Sequence, residues 1–380
     1  MQRKIVIAFL ALATCAALVG DASAAFMNGN LVVTRVGTGA AALNANATAA
    51  FIDEYDSMTA SQAAPIQTLA LPTSDSGSNQ TLTLSGSATS EGFLAQSQNR
   101  RYLVVAGYDA APGTSGITGA AASAVNRVVG RVDVSSMAVD TTTALSDAYS
   151  GSNIRSAFTS DGTNIWTGGN AGSGLGSTAG VRYMTLGSTT STQLNSSTTN
   201  NRVVNIYNGQ LYVSAMTGAF RGVNTVGSGV PTTGGQSLTL LNGFDPSTTS
   251  PASPYDFWFL NPSTLYVADD RATGSGGGIQ KWTESGGLWT LQYTLNSGIA
   301  SGGRGLAGQV DGSGNIILYG TNSTQLFKFV DTGAASAATI LATAATNTAF
   351  RGVELIIPEP ASLALVVLGG LALAGFARRR

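Results

Sequence analysis

Residues 203–215 read VVNIYNGQLYVSA, two runs of β-branched and aromatic residues separated by Asn208-Gly209. An Asn-Gly pair between two such runs is the strongest short-range signal for a β-hairpin, because both residues tolerate the positive φ angles of the turn. Asp161-Gly162 and Asp311-Gly312 stand in the same position between other pairs of runs. The stretch therefore predicts an antiparallel hairpin that recurs along the chain.

The second run of this hairpin has six copies, whose starts lie 46 to 71 residues apart. The copies are LVV at 31–33, YLVVAG at 102–107, IWTG at 165–168, LYVSA at 211–215, LYVA at 265–268 and IILYG at 316–320. A third apolar run follows most copies beyond a Gly-rich loop, and a shorter fourth run often comes next. Four antiparallel strands repeated about six times predict a β-propeller.

The ends of the repeated region are consistent with a closed ring. The region begins with a run of the second type at 31–33 and ends with a run of the first type, FRGVEL at 350–355. One blade can therefore combine both ends and leave no open sheet edge. We predict an all-β fold, a β-propeller of about six four-stranded blades, with seven as the alternative count. A β-helix or a two-sheet sandwich is the competing architecture, although a β-helix has a shorter, stricter period and lacks such hairpins.

Composition excludes several kinds of chemistry. The 380-residue chain has no histidine, and its one cysteine, Cys15, lies close to the N-terminus. Residues 25–357 therefore offer no disulfide, no thiolate metal site, no cysteine nucleophile and no Ser-His-Asp triad, and we predict neither a metal nor a cofactor. These residues hold 14 Lys and Arg against 18 Asp and Glu without a basic stripe, which argues against nucleic-acid binding.

The N-terminus predicts a cleaved secretory signal peptide. Its parts are a basic pair at 3–4, an apolar run at 5–19 and an A-x-A site at 22–24. Cleavage is expected between Ala24 and Ala25. An uncleaved membrane anchor and a lipoprotein attached through Cys15 are the alternatives. The apolar run is short for an anchor, and Thr14 is a poor residue ahead of a lipidated cysteine.

The C-terminus carries a second targeting signal. Pro358, Glu359 and Pro360 precede an apolar run at 361–377 and three arginines at 378–380. The 17-residue run is at the lower limit of a helix that spans a bilayer, and the arginines would hold that end on the cytoplasmic side. This order of motif, apolar segment and basic end resembles the PEP-CTERM sorting signal of exported bacterial proteins.

The resemblance covers residues 358–380 and implies a route rather than an activity. In PEP-CTERM proteins an exosortase, a membrane enzyme, recognises the Pro-Glu-Pro motif and removes the tail. The implied partners are thus an exosortase-like processing enzyme and, before processing, the membrane through the C-terminal hydrophobic helix. The implied location is the envelope, outer surface or extracellular matrix of a bacterium that makes extracellular polymeric substance. The chain then divides into a signal peptide at 1–24, a propeller body at 25–357 and a sorting signal at 358–380.

A charged residue stands near the start of each predicted first strand. The six are Glu91, Arg155, Arg202, Asp256, Arg304 and Arg351. Because equivalent positions of propeller blades are related by rotation, we expect these side chains to converge at the mouth of a central channel. One interpretation is a ligand site in which arginine forks bind carboxylate or sulfate. The other is a set of structural ion pairs, which the mixture of signs favours.

Two other groups also allow a functional and a structural interpretation. Asp269-Asp270 can offer oxygens to Ca²⁺, but without EF-hand spacing turn formation explains them better. An aromatic group can stack on sugar rings if it is exposed, although aromatics that alternate along a strand more often form core. Its members are Tyr255, Phe257, Trp258, Phe259, Trp282 and Trp289.

The sequence thus predicts an exported envelope or matrix protein of structural or binding type, with extracellular polysaccharide as a candidate partner. The alternative is a propeller enzyme, a glycosidase or lyase, that acts on such a polysaccharide. The missing histidine argues against most lyase and metal-dependent designs, but not against a hydrolase that uses two carboxylates. The sequence leaves catalysis open, and no catalytic residue is assigned.

Overall fold

The computed structural model describes residues 25–197, 200–246 and 252–359. In these ranges the chain forms 25 β-strands, four single-turn 3-10 helices and no α-helix. The 3-10 helices are Ile117–Gly119, Gly176–Thr178, Gly218–Phe220 and Thr273–Ser275. No helix within the described part of the chain has the length and apolar character needed to cross a bilayer. The predicted signal peptide and C-terminal hydrophobic helix lie outside the described residues.

The strands of the first half are β1 (Leu31–Val36), β2 (Ala47–Tyr55), β3 (Gln67–Ala70), β4 (Thr83–Ser85), β5 (Leu94–Gln96), β6 (Tyr102–Tyr108), β7 (Arg127–Asp133), β8 (Val139–Leu145), β9 (Ile154–Thr159), β10 (Asn164–Gly169), β11 (Arg182–Thr185) and β12 (Thr192–Gln193). Those of the second half are β13 (Asn201–Tyr207), β14 (Gln210–Ala215), β15 (Gly222–Val226), β16 (Leu238–Leu240), β17 (Pro254–Asn261), β18 (Thr264–Asp269), β19 (Gly278–Ser285), β20 (Leu288–Leu295), β21 (Gly305–Val310), β22 (Ile316–Thr321), β23 (Gln325–Val330), β24 (Thr339–Thr343) and β25 (Ala349–Leu355).

Strands β9 to β24 form four separate four-stranded antiparallel sheets, each with its strands in chain order. The hairpin predicted from residues 203–215 joins β13 to β14, with Tyr207 opposite Gln210. Asn208 and Gly209 have φ angles of 48° and 74°, the positive values that the turn requires. The four sheets are arranged as the blades of a β-propeller, and the predicted propeller-like fold is confirmed.

The other nine strands form one sheet rather than two separate blades. Its path is β25-β1-β2-β4-β6-β7-β8, with β3 on β2 and β5 on β6. Both ends of the body meet in it, because β25 pairs with β1 and sets Leu355 opposite Leu31. The short strand β4 pairs with β2 and also, through Thr83 and Tyr108, with β6. The described sheets therefore give four separate four-stranded blades, not the six predicted, because β4 merges the remaining strands.

We call β5, β9, β13, β17, β21 and β25 the inner strands. They contact one another in that circular order, and β25 returns to β5. Backbone hydrogen bonds join inner strands to the residues just ahead of the neighbouring inner strand, as from Asp256 N–H to the Arg304 carbonyl at 3.1 Å and from Gly352 N–H to the Gly92 carbonyl at 3.2 Å. A Cβ at Gly352 would lie 2.3 Å from the Leu94 nitrogen, so this approach requires glycine.

Candidate functional site

All six predicted charged residues lie on the inner strands or just ahead of them. Arg155, Arg202, Asp256 and Arg351 are in the first halves of β9, β13, β17 and β25, and Glu91 and Arg304 precede β5 and β21. Five of the six side chains are buried, and Arg304 is half-buried. Each of the four arginines lies close enough to another of them for their charges to interact, and the charge of Glu91 acts on Arg155 and Arg351. Asp256 differs, because the charge that acts on it is that of Glu354.

The arginines gather around the ring of Tyr255. The Arg202 guanidinium carbon lies 3.7 Å from the ring centroid, and that of Arg304 lies 5.9 Å away. Burial raises the pKa of Tyr255, while the charges of Arg202, Arg304 and Arg155 act in the opposite direction. Burial lowers the pKa of Arg351 to about 10, and the charge of Arg304 adds to this effect. We call Arg155, Arg202, Arg304 and Arg351 with Tyr255 the cationic cluster.

Two arginines of the cationic cluster join neighbouring blades through neutral acceptors. Arg155 donates to the Asn201 carbonyl at 3.1 Å and to the side-chain oxygen of Asn200, at the start of the next inner strand. Arg202 donates in the same way to the Ser253 hydroxyl and to the Pro254 carbonyl, both at 3.0 Å. Each guanidinium thus fastens its own inner strand to the next one.

The remaining two arginines have different partners. Arg351 donates to the Gly86 carbonyl at 3.1 Å. Arg304 lies 3.4 Å from Asp270, and within the described ranges this is the only ion pair that the cationic cluster makes. The ion pairing expected among the six charged residues is therefore not observed, because carbonyl, amide and hydroxyl oxygens take the guanidinium hydrogens. The four arginines of the cationic cluster therefore carry more positive charge than their single ion pair offsets. Burial lowers the pKa of Arg155 to about 10.

The two acids among the six are held by neutral donors. Glu91 accepts hydrogen bonds from Tyr108 and Asn153, both at 2.8 Å, and from the Ser85 N–H at 2.5 Å. Asp256 accepts from the N–H of Leu306 at 3.1 Å and from its neighbour in sequence. Burial raises the pKa of both carboxyls. Neither acid forms an ion pair with an arginine of the described chain, although the charge of Glu91 acts to raise the pKa of Arg155 and of Arg351.

A pocket of about 340 Å³ is lined by residues from all six inner strands and from the segments that follow some of them. We call it the axial pocket. Its lining includes Gln96, Phe158, Asn205, Trp258, Gly308 and Glu354. Because the strand ends that form it are far apart in the sequence, this pocket exists only in the closed ring.

Glu354 is the functional candidate that the sequence interpretation missed. Its carboxylate accepts hydrogen bonds from the N–H groups of Gln96 at 3.2 Å and Leu355 at 3.0 Å. Burial raises its pKa from 4.5 to about 7, although the side chain is part-exposed in the axial pocket. The sequence feature that could have pointed to Glu354 is that it is a second charged residue on β25, three residues after Arg351.

The other predicted candidates have structural partners. Asp269 pairs with Arg271 at 2.8 Å and accepts from the Gln280 side chain at 3.1 Å, so its oxygens are already in use. Among the described residues no group of three or more acidic side chains could hold a metal ion. Of the aromatic group around β17 to β20, only Trp258 is part-exposed, and the other five members are buried between the sheets.

Comparison with known proteins identifies the tail. Residues 357–380 match the PEP-CTERM protein-sorting motif, which confirms the resemblance seen in Pro358, Glu359 and Pro360. The motif indicates an exported protein that is directed to the cell surface and processed by an exosortase. A comparison of the sequence with curated proteins finds no match.

Several solved structures resemble the fold at low identity. They include the periplasmic gluconolactonase PpgL of Pseudomonas aeruginosa, with 13% identity, a TM-score of 0.41 and coverage of 83% of this chain and 82% of that one. A putative 6-phosphogluconolactonase of Bacteroides uniformis has 12% identity, a TM-score of 0.43 and coverage of 81% of each chain. A hypothetical selenium-binding protein of Sulfolobus tokodaii has 9% identity, a TM-score of 0.44 and coverage of 86% and 93%. At these values the likeness carries no argument about activity.

Proposed function

We propose that this exported protein acts in the envelope or extracellular matrix as a binding protein, and that its cationic cluster holds an anionic group of a polysaccharide. The observation that carries the proposal is the convergence of four arginines with a single ion pair, Arg304 with Asp270, in the described chain. Buried positive charge without matching carboxylates is costly, and an anion from outside would offset that cost. Arginine forks suit the planar or tetrahedral oxygens of carboxylate and sulfate.

The proposal includes a ring of six blades. The circular order of the inner strands supports this count, because strands β5 to β8 and the set β25-β1-β2-β3 each supply four strands beside the axis. In this interpretation β4 is a bridge between two blades rather than a blade strand. Six inner strands then bring six equivalent positions to one end, which is the geometry that a ligand on the axis would use.

Loss of the most accessible arginine should weaken anion binding. Full-length protein in a polyoxyethylene detergent, which carries no sugar, should bind polygalacturonate in isothermal titration calorimetry and should not bind neutral dextran. Arg304→Ala should weaken binding about tenfold or more, since a hydrogen bond to a charged group contributes about 1.5–3 kcal/mol. Arg101→Ala is the matched control, because Arg101 is 53% exposed in an ion pair with Asp133 outside the cluster. Equal affinity of Arg304→Ala and wild type, with both folded by circular dichroism, would refute the proposal.

The mature protein should lack its C-terminal tail. Because the PEP-CTERM motif directs exosortase processing, we expect mass spectrometry of protein from cells with an active exosortase to find an N-terminus at Ala25 and a C-terminus upstream of the apolar run. Cells without the exosortase serve as the control and should retain the tail. Recovery of an intact Arg380 terminus from the active cells would show that the tail is a permanent anchor.

A second candidate function, hydrolysis of the polysaccharide, is supported by Glu354. A carboxyl group with a pKa of about 7 can hold a proton near neutral pH and deliver it to a leaving group. The charge of Glu354 also contributes to the raised pKa of Asp256, so the two carboxyls are close enough to interact. Asp256, however, is buried and accepts two backbone hydrogen bonds, which leaves no second accessible carboxylate. New reducing ends released by wild type and not by Glu354→Gln would favour this candidate over binding.

A further inference from the structure

A second cavity lies away from the axis, between the sheet β13–β16 and the sheet β17–β20. It is a groove of about 560 Å³, within the range of about 300–1,000 Å³ that small-molecule sites occupy. We call it the blade groove. It shares Tyr207, Asn208 and Phe259 with the axial pocket, so the two cavities adjoin. The cationic cluster contributes no residue to its lining.

Aromatic rings form a continuous wall of the blade groove. Tyr207 stacks on Phe259 with centroids 4.6 Å apart and planes 14° from parallel, and Tyr212 lies 4.8 Å from the same ring. Trp289 packs edge-on against Phe259 at 6.1 Å. Phe259 and Trp289 are buried, whereas the two tyrosines are part-exposed. The buried rings therefore hold the two tyrosines in place, and the part-exposed tyrosine rings present an apolar surface to solvent.

Three polar atoms on this wall have no hydrogen-bond partner among the residues that the structure describes. The hydroxyls of Tyr207 and Tyr212 and the indole N–H of Trp289 make no hydrogen bond with any described residue, although Tyr183 and Trp166 use theirs. Tyr212 is also desolvated enough for its pKa to be raised by burial. Two donor-acceptor hydroxyls and one donor thus belong to side chains that line the groove.

The rim of the groove is fixed by side chains that already have partners. Asn242 donates to the Gly287 carbonyl at 3.0 Å, and one oxygen of Glu284 accepts from the Gly287 N–H at 2.5 Å. The other Glu284 oxygen makes no hydrogen bond within the described chain and is the one charged group in the lining. A single carboxylate accepts hydroxyl hydrogens and repels anions. The groove therefore suits a ligand that is neutral and rich in hydroxyl groups.

We propose that the blade groove binds a neutral saccharide, with the C–H face of a pyranose ring on Tyr207 and Tyr212. The free tyrosine hydroxyls, the Trp289 N–H and the Glu284 oxygen take the sugar hydroxyls. Apolar ring faces flanked by a few convergent polar groups are the combination that defines small-molecule sites. This site is separate from the cationic cluster in position and in ligand charge, and it stands without the function proposed above.

The test uses full-length protein in the polyoxyethylene detergent and calorimetric titration with neutral hexasaccharides of glucose, mannose, galactose, xylose and N-acetylglucosamine. Wild type should bind at least one of them, and polygalacturonate should not compete. Tyr212→Ala should weaken binding about tenfold, the value of one aromatic contact of about 1.4 kcal/mol. Tyr183→Ala, which removes a part-exposed tyrosine packed on Trp166 at 5.3 Å in another sheet, should leave the affinity unchanged.

Tyr212→Phe keeps the ring and removes only the free hydroxyl, so it separates binding from folding. It should keep the melting temperature and weaken binding about three- to tenfold, as the loss of one hydrogen bond predicts. The proposal is overturned if wild type binds none of the hexasaccharides at 10 mM. At that concentration even a weak site, with a dissociation constant of about 1 mM, would be mostly occupied. Equal affinities of Tyr212→Phe and wild type would overturn it as well. Loss of polygalacturonate binding alone leaves this site intact and refutes only the cationic-cluster proposal.

Discussion

A chain that ends at residue 348 should fail to reach the native fold, whereas a chain that ends at residue 357 should reach it. The shorter chain lacks β25, which pairs with β1 and completes the ring of inner strands between β21 and β5. Phe350, Val353 and Leu355 are buried in the full body. Burial of each such side chain contributes about 2 kcal/mol, and total stability is only about 5–15 kcal/mol.

Comparison of residues 25–348 with residues 25–357 measures this effect. Urea unfolding followed by far-UV circular dichroism should give a cooperative transition for the longer chain and none for the shorter one. Residues 25–380 in detergent are the control for the tail and should unfold at the same midpoint as 25–357. Equal midpoints for 25–348 and 25–357 would rule out a closing role for β25. More than about a quarter helix in 25–357 would contradict the all-β body, since that approaches an average mixed domain.

The free energy of unfolding should fall as the pH rises from about 4.5 to above 7, and Glu354 should cause much of the fall. Its pKa is about 7 in the folded protein and ordinarily 4.5, so the native state holds a proton that the unfolded chain releases in this range. The contribution of Glu354 to stability is therefore fully present below its unfolded pKa of 4.5 and is lost as the pH rises through its folded pKa of about 7. The full difference corresponds to about 3 kcal/mol, and part exposure in the axial pocket reduces our expectation to about 2 kcal/mol.

Urea unfolding at intervals from pH 4.5 to 8.5 tests this expectation, with Glu354→Gln beside wild type. The variant should lose about 2 kcal/mol less than wild type across the range, because glutamine has no proton to release. Some slope should persist, since burial also raises the pKa of Glu91 and Asp256. Asp311→Asn is the control, because hydrogen bonds from Asn315 lower the pKa of Asp311, which then titrates below this range. Parallel curves for wild type and Glu354→Gln would contradict the assignment.

Local turn chemistry accounts for the part of the fold that the sequence predicts, namely the hairpins and their repetition. The Asn208-Gly209 hairpin needs only two adjacent residues with positive φ, and the strand period follows from copies of such hairpins. The merging role of β4 was not predictable in this way. Its three residues, Thr83–Ser85, merge the sheets because they pair with both β2 and β6. Nothing in the sequence indicates that these strands lie beside them.

The candidate site could likewise be predicted only in part from the sequence. A charge near the start of each first strand is visible in the sequence, so the positions of Arg155 and Arg202 follow from the strand period. Their partners do not, because Arg202 donates to Pro254 of the next sheet and the choice depends on how sheets pack. Glu354 reads as one more surface charge, since its raised pKa comes from a pocket that several distant strands build. The ligand roles of these residues remain predictions.

The pairing of β25 with β1 also governs when the exported chain can finish folding. Nearly the whole body lies between these two strands in the sequence. Their contact therefore has the largest sequence separation in the topology and the largest entropic cost of loop closure. A chain that crosses a membrane N-terminus first delivers β1 early, and the edge of β1 waits unpaired until β25 emerges. The Pro-Glu-Pro motif follows only two residues behind Leu355. Completion of the ring and arrival of the sorting signal are therefore nearly simultaneous.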